Sequence, residues 1–255
     1  MNKMHILFAA AAALLLVASC TQELKTKTFE YEDSVASEHF DAECNVSCSF
    51  EYVTGGVSKE LQDKINATIV ATHILYDEAD GLNDVPAACE RWVAATLESY
   101  AADIEDFSDG YDEDDAWMFN FEYGLTGRFG DACKARRLQT LNVSYNEYTG
   151  GAHGMYSIVY DVYDMTTGEI ISEDDLFKPG FRDGVAALLS DALETYLAEN
   201  DEDGEMLFSM PEPNGNFSVS DTHVTWVYNP YEIAPYVMGA IELSVSWADL
   251  KPFLK

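Results

Sequence analysis

The sequence predicts an α+β fold in which about three helices pack on a mostly antiparallel β-sheet. Segments that alternate apolar and polar residues follow one another at hairpin spacings, which is typical of antiparallel strands. Segments with helical spacing interrupt them without a regular βαβ order, which favours α+β over a parallel α/β fold. The 255 residues are 47% hydrophobic, which suffices for one large domain or two small ones with a core.

The first residues have the pattern of a bacterial lipoprotein signal. Lys3 precedes an apolar stretch at residues 6–17, which is too short to span a bilayer comfortably. Val17-Ala18-Ser19-Cys20 is typical of a lipobox, so we predict that residues 1–19 are removed and that Cys20 is lipidated. The lipid would anchor the protein in the cell envelope, and Thr21, which is not an aspartate, favours the outer membrane. An ordinary secretory signal with a chance cysteine is the alternative.

The first half of the remaining chain is expected to combine strands with two helices. Residues 20–40 are polar, acidic and aperiodic, which predicts a flexible tether. Residues 41–146 form the predicted N-terminal α+β half. Its predicted elements are a strand at 44–52, a helix at 58–75, a helix at 86–104, a strand at 117–125 and a strand at 138–145.

The second half, residues 147–255, is expected to pack with the first as one unit. Its predicted elements are a strand at 155–163, a helix at 181–196, strands at 217–219, 223–228 and 240–246, and a short helix at 247–254.

The four cysteines after Cys20 indicate disulfides, because the predicted compartment is oxidising. Cys44 and Cys48 lie in one predicted strand, ~13 Å apart at ~3.3 Å per residue, so they cannot bond each other. We therefore expect each of them to bond either Cys89 or Cys133. The spacing does not resemble a zinc site, and no metal is expected.

The charge is strongly acidic and constrains the partners. The formal net charge is -32, and residues 1–19 carry one Lys and no acid, so the chain without them stands at -33. Nucleic acid and anionic lipid headgroups are poor partners for such a surface, whereas cationic partners are attracted to it. An acidic surface that serves solubility alone is the alternative.

Two clusters combine rigid backbone with polar and aromatic side chains. One is Tyr148-Thr149-Gly150-Gly151-Ala152-His153-Gly154, and the other runs from residue 228 to residue 239. Tyrosine suits recognition because it offers contact area and a polar tip at a small entropy cost. The candidate ligand-binding residues are Tyr148, His153, Tyr228, Tyr231, Glu232 and Tyr236. The alternative for the first cluster is a tight structural turn, and the alternative for the second is an aromatic corner that packs the sheet.

These clusters, with the segments at 163–169 and 174–177 between them, carry a family resemblance. From about residue 40 to residue 254 the chain resembles the extracytoplasmic domain of RsiV-like anti-sigma factors, which also precedes the catalytic domain in PdaC-like peptidoglycan deacetylases. The resemblance implies a sensor or binding module, and the RsiV-like members bind lysozyme. The sequence shows neither a sigma-binding segment nor a deacetylase domain, so we do not expect those two roles to carry over.

Taken together, the sequence predicts a non-enzymatic envelope lipoprotein that binds a cationic protein such as lysozyme, or a peptidoglycan fragment. No cofactor is expected, because motifs for a nucleophilic serine, a zinc protease or a phosphate loop do not occur. An envelope hydrolase that uses His153 and Glu232 is one alternative. A structural accessory lipoprotein is the other.

Overall fold

The computed structural model describes residues 24–75, 82–107, 110–111, 113–200 and 204–255. The predicted signal and Cys20 lie outside these residues. Within the described ranges, no helix has the length and apolar character needed to cross a bilayer.

The described residues form two sheets. The larger has the order β1-β2-β3-β4-β5, in which only the β2–β3 pair is parallel, and the smaller has the order β6-β7-β8. The strands are β1 (Lys25–Ala36), β2 (Glu43–Gly55), β3 (Phe121–Cys133), β4 (Leu138–Thr149), β5 (Met155–Asp164), β6 (Phe217–Val219), β7 (His223–Tyr228) and β8 (Ile241–Ser246).

Besides short 3₁₀ turns, the described residues form three long helices and two single α-helical turns. They are α1 (Lys59–Ile69), which continues as a π-helical turn (Val70–Ile74), α2 (Val85–Phe107), α3 (Glu173–Leu176), α4 (Arg182–Asn200) and α5 (Trp247–Leu250). Ser58 caps α1 by accepting a hydrogen bond from the Leu61 amide, as its position before the apolar stripe indicates. The predicted α+β class, with a mostly antiparallel sheet and about three helices, is confirmed.

Two cores lie on opposite faces of the five-stranded sheet. The first contains Leu141 and Tyr163, together with the apolar faces of α1 and α2. The second contains Leu138 and Val162, together with α4 and the three-stranded sheet. Adjacent residues in a strand point to opposite faces, so the strands at 138–141 and 162–163 contribute to both cores. The predicted boundary between the two halves, at residues 146 and 147, falls within β4.

The predicted tether at residues 20–40 is wrong over most of its described length. Residues 25–36 form β1, which pairs with β2 along its whole length. The segment looks aperiodic because most of its side chains are exposed, while Phe29 and Val35 pack against the first core. An edge strand with one apolar contact in every few residues carries little of the alternation that marks a strand in the sequence.

The predicted strand at 117–125 begins too early. Trp117 and Phe119 lie in a 3₁₀ turn (Glu113–Phe119), and β3 starts only at residue 121. Phe119 is apolar because it is buried against Phe40. Trp117 is 57% exposed, so its place in the apolar–polar alternation does not mark a buried strand face.

The predicted pair of crosswise disulfides is also wrong. Cys48 lies opposite Leu125 of β3, and Cys133 is eight residues further along that strand, which is ~26 Å away at ~3.3 Å per residue. Cys133 belongs to the second core, whereas the other three buried cysteines belong to the first. A thiol hydrogen bond with Cys89, together with burial, raises the pKa of Cys48. All four are free thiols in the structure, and a Cys48–Cys89 bond stays a prediction.

A buried glutamate holds the second core to the loop before β6. Glu173, at the start of α3, is 3% exposed, and its Oε1 accepts hydrogen bonds from Trp226 Nε1 at 2.8 Å and from the Gly215 amide at 3.0 Å. The loop that Glu173 fixes in this way carries Asn216, whose side chain reaches the five-stranded sheet.

Candidate functional site

The five-stranded sheet has an open region on the face that carries the second core. Val46 and Cys48 of β2 point into the first core, so Asn45 and Ser47 point the other way. The strand register extends this assignment to the neighbouring strands. The residues placed on the open face are Glu32, Ser34, Asn45, Ser47, Glu122, Gly124, Asn146, Tyr148 and Tyr156.

These residues form the floor of a groove of about 980 Å³ that crosses all five strands. None of the residues that line the groove is a lysine or an arginine. The lining residues are Glu32, Asp33, Ser34, Asn45, Val46, Ser47, Glu122, Tyr123, Gly124, Asn146, Glu147, Tyr148, Gly154, Met155, Tyr156 and Tyr236. The groove is therefore acidic, rich in tyrosine and able to donate or accept hydrogen bonds along its length.

Two carboxylates of the floor, Glu32 and Glu122, have no hydrogen bond or ion pair to another described residue. They lie two strands apart and two residues out of register, which separates their Cα atoms by ~12 Å. Glu147, by contrast, accepts a hydrogen bond from Tyr145. Among the described residues of the floor, Glu32 and Glu122 are therefore carboxylates without a protein partner.

One end of the groove is closed by stacked aromatic rings. The rings of His153 and Tyr236 lie 4.4 Å apart at an interplanar angle of 20°. Tyr231 and Tyr156 approach the same Tyr236 ring, with centroids 5.9 Å and 6.1 Å away. The Tyr236 hydroxyl donates to the carbonyl of Gly154 at 2.9 Å. The two sequence clusters predicted to form the site thus meet at this ring stack.

The loop between β4 and β5 requires glycine to hold His153 there. Gly150 has a φ of 82°, and a Cβ at this position would lie 2.5 Å from the carbonyl oxygen of Met118. Only glycine tolerates both the left-handed backbone and the close approach. The His153 ring is exposed, and its Nδ1 is 2.9 Å from the carbonyl oxygen of Gly154.

The bend after β7 presents apolar surface beside the stack. Tyr231 has a φ of 72°, which is unusual for a residue with a side chain, and its ring is 49% exposed. Val237 is 78% exposed. Exposed aromatic and aliphatic groups next to a polar groove are typical of a contact surface.

Two of the predicted site residues have other roles. Tyr228 is buried in the second core, its hydroxyl donates to the Glu212 carbonyl at 2.8 Å, and burial raises its pKa. Glu232 accepts hydrogen bonds from Asn214 at 3.2 Å and from Asn229 at 3.4 Å. Tyr228 therefore packs the fold, and Glu232 fixes the bend.

The hydrolase alternative needs His153 and Glu232 in one cleft. Each is engaged elsewhere, His153 with Tyr236 and its own loop, and Glu232 with two asparagine amides. No hydrogen bond joins them in the described part of the chain.

Most of the groove floor is absent from the predicted site residues. Glu32 falls in the predicted tether, and Glu122, Asn146 and Tyr156 are not among the predicted ligand-binding residues. The signal was present, because the polar residues of these strands recur at every second position. Some of these polar residues face open solvent and others lie beneath the second core. The difference depends on the order of the strands in the sheet, which the alternation of polar and apolar residues does not reveal.

A second cavity of about 480 Å³ lies between α2 and the sheet, with Trp92, Tyr100 and Tyr145 in its wall. His73, in the π-helical turn, lines this cavity, and its Nε2 is 2.6 Å from a carboxylate oxygen of Asp161. Within the described ranges, no group of three or more His, Cys, Asp or Glu side chains is placed to hold a metal ion.

Comparison with known families identifies one segment of the chain. Residues 174–248 match DUF3298, a family described as a protein of unknown function. This segment includes α4, β6 to β8 and the bend that carries Tyr231 and Tyr236, but not the strands of the groove floor. No curated protein matches the sequence.

Two solved structures share the fold over nearly the whole chain. A member of the DUF3298 family from Bacteroides fragilis NCTC 9343 has a TM-score of 0.80 at 20% identity, covering 92% of this chain and 95% of that one. A DUF3298 family protein from Pseudomonas aeruginosa PAO1 has a TM-score of 0.65 at 18% identity, covering 92% and 96%. At this identity the similarity shows the fold alone.

Proposed function

We propose that this protein is an envelope lipoprotein whose groove binds a cationic ligand. The observation that carries the proposal is the groove itself, which crosses five strands, contains the unpaired carboxylates Glu32 and Glu122, and has no basic residue in its lining. The lipobox at residues 17–20 supports anchoring through the lipid on Cys20. Outer-membrane placement rests on Thr21 in the same way.

A basic protein such as lysozyme is the leading ligand. The net charge of -32 attracts basic proteins over a distance set by the Debye length, ~8 Å at physiological salt. Charge alone does not select among basic proteins. Selection would come from packed contacts at the ring stack, where Tyr231, Tyr236 and Val237 offer apolar area beside the carboxylates.

A peptidoglycan fragment is the second candidate, and a specific feature favours it. Asn45 and Asn146 place amides on the groove floor, Tyr148 lies two residues beyond Asn146 on β4, and Tyr156 pairs with Asn146 from β5. Amides and aromatic rings together can hydrogen-bond sugar hydroxyls and pack against sugar faces. This ligand would depend little on Glu32 and Glu122.

Calorimetry at physiological and raised salt tests the leading ligand. We expect saturable 1:1 binding of lysozyme, and much weaker binding of cytochrome c as a second small basic protein. The double variant Glu32→Gln/Glu122→Gln should weaken lysozyme binding about tenfold, because two attractive pairs are lost. Tyr231→Ala should abolish it by removing the exposed ring beside the stack.

A matched control separates the groove from net charge. Asp191→Asn/Glu194→Gln removes the same two charges from the exposed side of α4, and lysozyme binding should change less than about twofold. If both double variants weaken binding equally, or if lysozyme and cytochrome c bind alike and are both released at raised salt, the acidic surface is non-specific. Binding of a muropeptide that survives both double variants would favour the second candidate.

A further inference from the structure

The two edges of the five-stranded sheet are treated differently. Along β5, the amide of Ile158 donates to Asn229 Oδ1 at 2.7 Å, and the amide of Tyr160 donates to Asn216 Oδ1 at 2.8 Å. The carbonyl of Ile158 accepts from the side-chain nitrogens of both asparagines, at 2.8 Å and 3.0 Å. Two carboxamides thus occupy the backbone groups that would otherwise pair with another strand.

The opposite edge, β1, has no such cover. It is a twelve-residue strand that pairs with β2 on one side, and no other described element pairs with its outer side. Long uncovered edges template strand addition, and proteins normally block them, as β5 is blocked here. A fold that closes one edge and leaves a longer one open points to an edge that receives a strand.

We propose that β1 pairs antiparallel with β1 of a second copy of this chain. When two copies of one strand pair antiparallel about a two-fold axis, the residue numbers of each facing pair add to the same sum. This sum is even, because facing side chains lie on the same face of the sheet and residues of one strand share a face only when their numbers differ by an even number. The charges of β1 then select the register, since like charges directly opposite destabilise a pair.

The register in which the two facing residue numbers add to 58 places opposite charges face to face. It places Lys25 opposite Asp33 of the second copy, twice by symmetry, and Phe29 opposite its own copy at the axis. No like charges face each other in this register. A sum of 60 places Glu30 opposite Glu30, and a sum of 62 places Glu30 opposite Glu32.

The pairing would join the two five-stranded sheets into one of ten strands. Glu32, at the β1 end of the groove, would face Thr26 of the second copy on the same face. The two grooves would then meet edge to edge across the dimer axis. The dimer does not depend on the proposed ligand.

Charge reversal and restoration test the register. Sedimentation of the purified full chain in a non-ionic detergent should show a monomer–dimer equilibrium. Lys25→Glu and Asp33→Lys should each weaken dimerisation about tenfold, because each turns two attractive pairs into repulsive ones. The double variant Lys25→Glu/Asp33→Lys should return the dissociation constant to within about threefold of wild type.

A control and a folding check complete the experiment. Lys59→Glu reverses a similarly exposed lysine, which pairs with Asp63 on α1 away from the edge, and should leave dimerisation unchanged. Circular dichroism confirms that each variant is folded. A wild-type chain that is monomeric at all concentrations, or a double variant as weak as either single one, would overturn the proposal.

Discussion

Replacing Glu173 with alanine should destabilise the second core, because Glu173 Oε1 is the acceptor for a buried donor, the Trp226 indole, and for a partly buried one, the Gly215 amide. The indole of Trp226 and the amide of Gly215 both donate to this one atom. A buried donor left without an acceptor costs about 1–3 kcal/mol, and the Gly215 amide adds less because this exposed residue can bond water, so the total loss should be about 3 kcal/mol. Arg182 adds little, since its guanidinium is 3.5 Å from Glu173 Oε2 and its side chain is 60% exposed.

Glutamine at the same position separates the acceptor from the charge. Glu173→Gln keeps a carbonyl oxygen where Oε1 stands, so both donors remain paired and the loss should be about 1 kcal/mol. Asp174→Ala, which changes the exposed neighbour on α3, should cost less than about 0.5 kcal/mol. Urea unfolding followed by tryptophan fluorescence measures all three variants.

We also expect Glu173→Ala to have an effect at a distance. Because Gly215 precedes Asn216, loss of its hydrogen bond should loosen the carboxamide that covers β5. The amide of Tyr160, which donates to Asn216 Oδ1, should then exchange with solvent faster in Glu173→Ala than in Glu173→Gln. Equal destabilisation by alanine and glutamine, or a loss under 1 kcal/mol for alanine, would show that the two donors do not depend on this acceptor.

Two further outcomes follow from local geometry. Gly127→Ala should lower the free energy of unfolding in urea by about 1–3 kcal/mol, because the new Cβ would lie 2.2 Å from the Phe50 ring. Gly124→Ala is the control: the nearest atom to its new Cβ would be 3.5 Å away, so the free energy of unfolding should change by less than about 0.5 kcal/mol. Hydrogen bonds from the backbone and side chain of Ser172 lower the pKa of Asp175, so its charge contributes stability above its unfolded pKa of ~3.9 that is lost as the pH falls through the folded value. The stability difference between wild type and Asp175→Asn, measured by acid titration of unfolding, should therefore be constant near neutral pH and shrink below about pH 4; a difference that grows on acidification would contradict this sign.

The sequence predicted the elements well where one face is buried. The predicted strand at 240–246 and the predicted helix at 181–196 follow directly from side-chain periodicity, because burial of one face against the second core imposes it. The edge strand β1 escaped notice for the opposite reason, since exposure on most sides removes the pattern. The 3₁₀ turn before β3 has the sequence pattern of a strand, because Phe119 is apolar and packs on Phe40.

The site was predicted at its loops and missed at its floor. Glycines and tyrosines close together in the sequence indicate a rigid loop with recognition side chains, so His153 and Tyr236 were predictable as site residues. Their rings are in contact in the structure. Glu32 and Glu122 become neighbours only through the parallel pairing of β2 with β3, which a crossover of two helices produces. Strand order of that kind is set by packing among distant segments, and no local pattern encodes it.

The alternation in β2, β3 and β4 also restricts how this protein can change length. The same stretch of chain supplies core side chains to one face and groove side chains to the other, so an insertion or deletion of one residue would exchange the two sets. Substitutions at every second position can alter the groove without touching the core. Variation in length is therefore confined to the connections, such as residues 150–154 and 229–240, which carry the ring stack. Across related chains, we expect the floor to vary in side chains and the walls to vary in size.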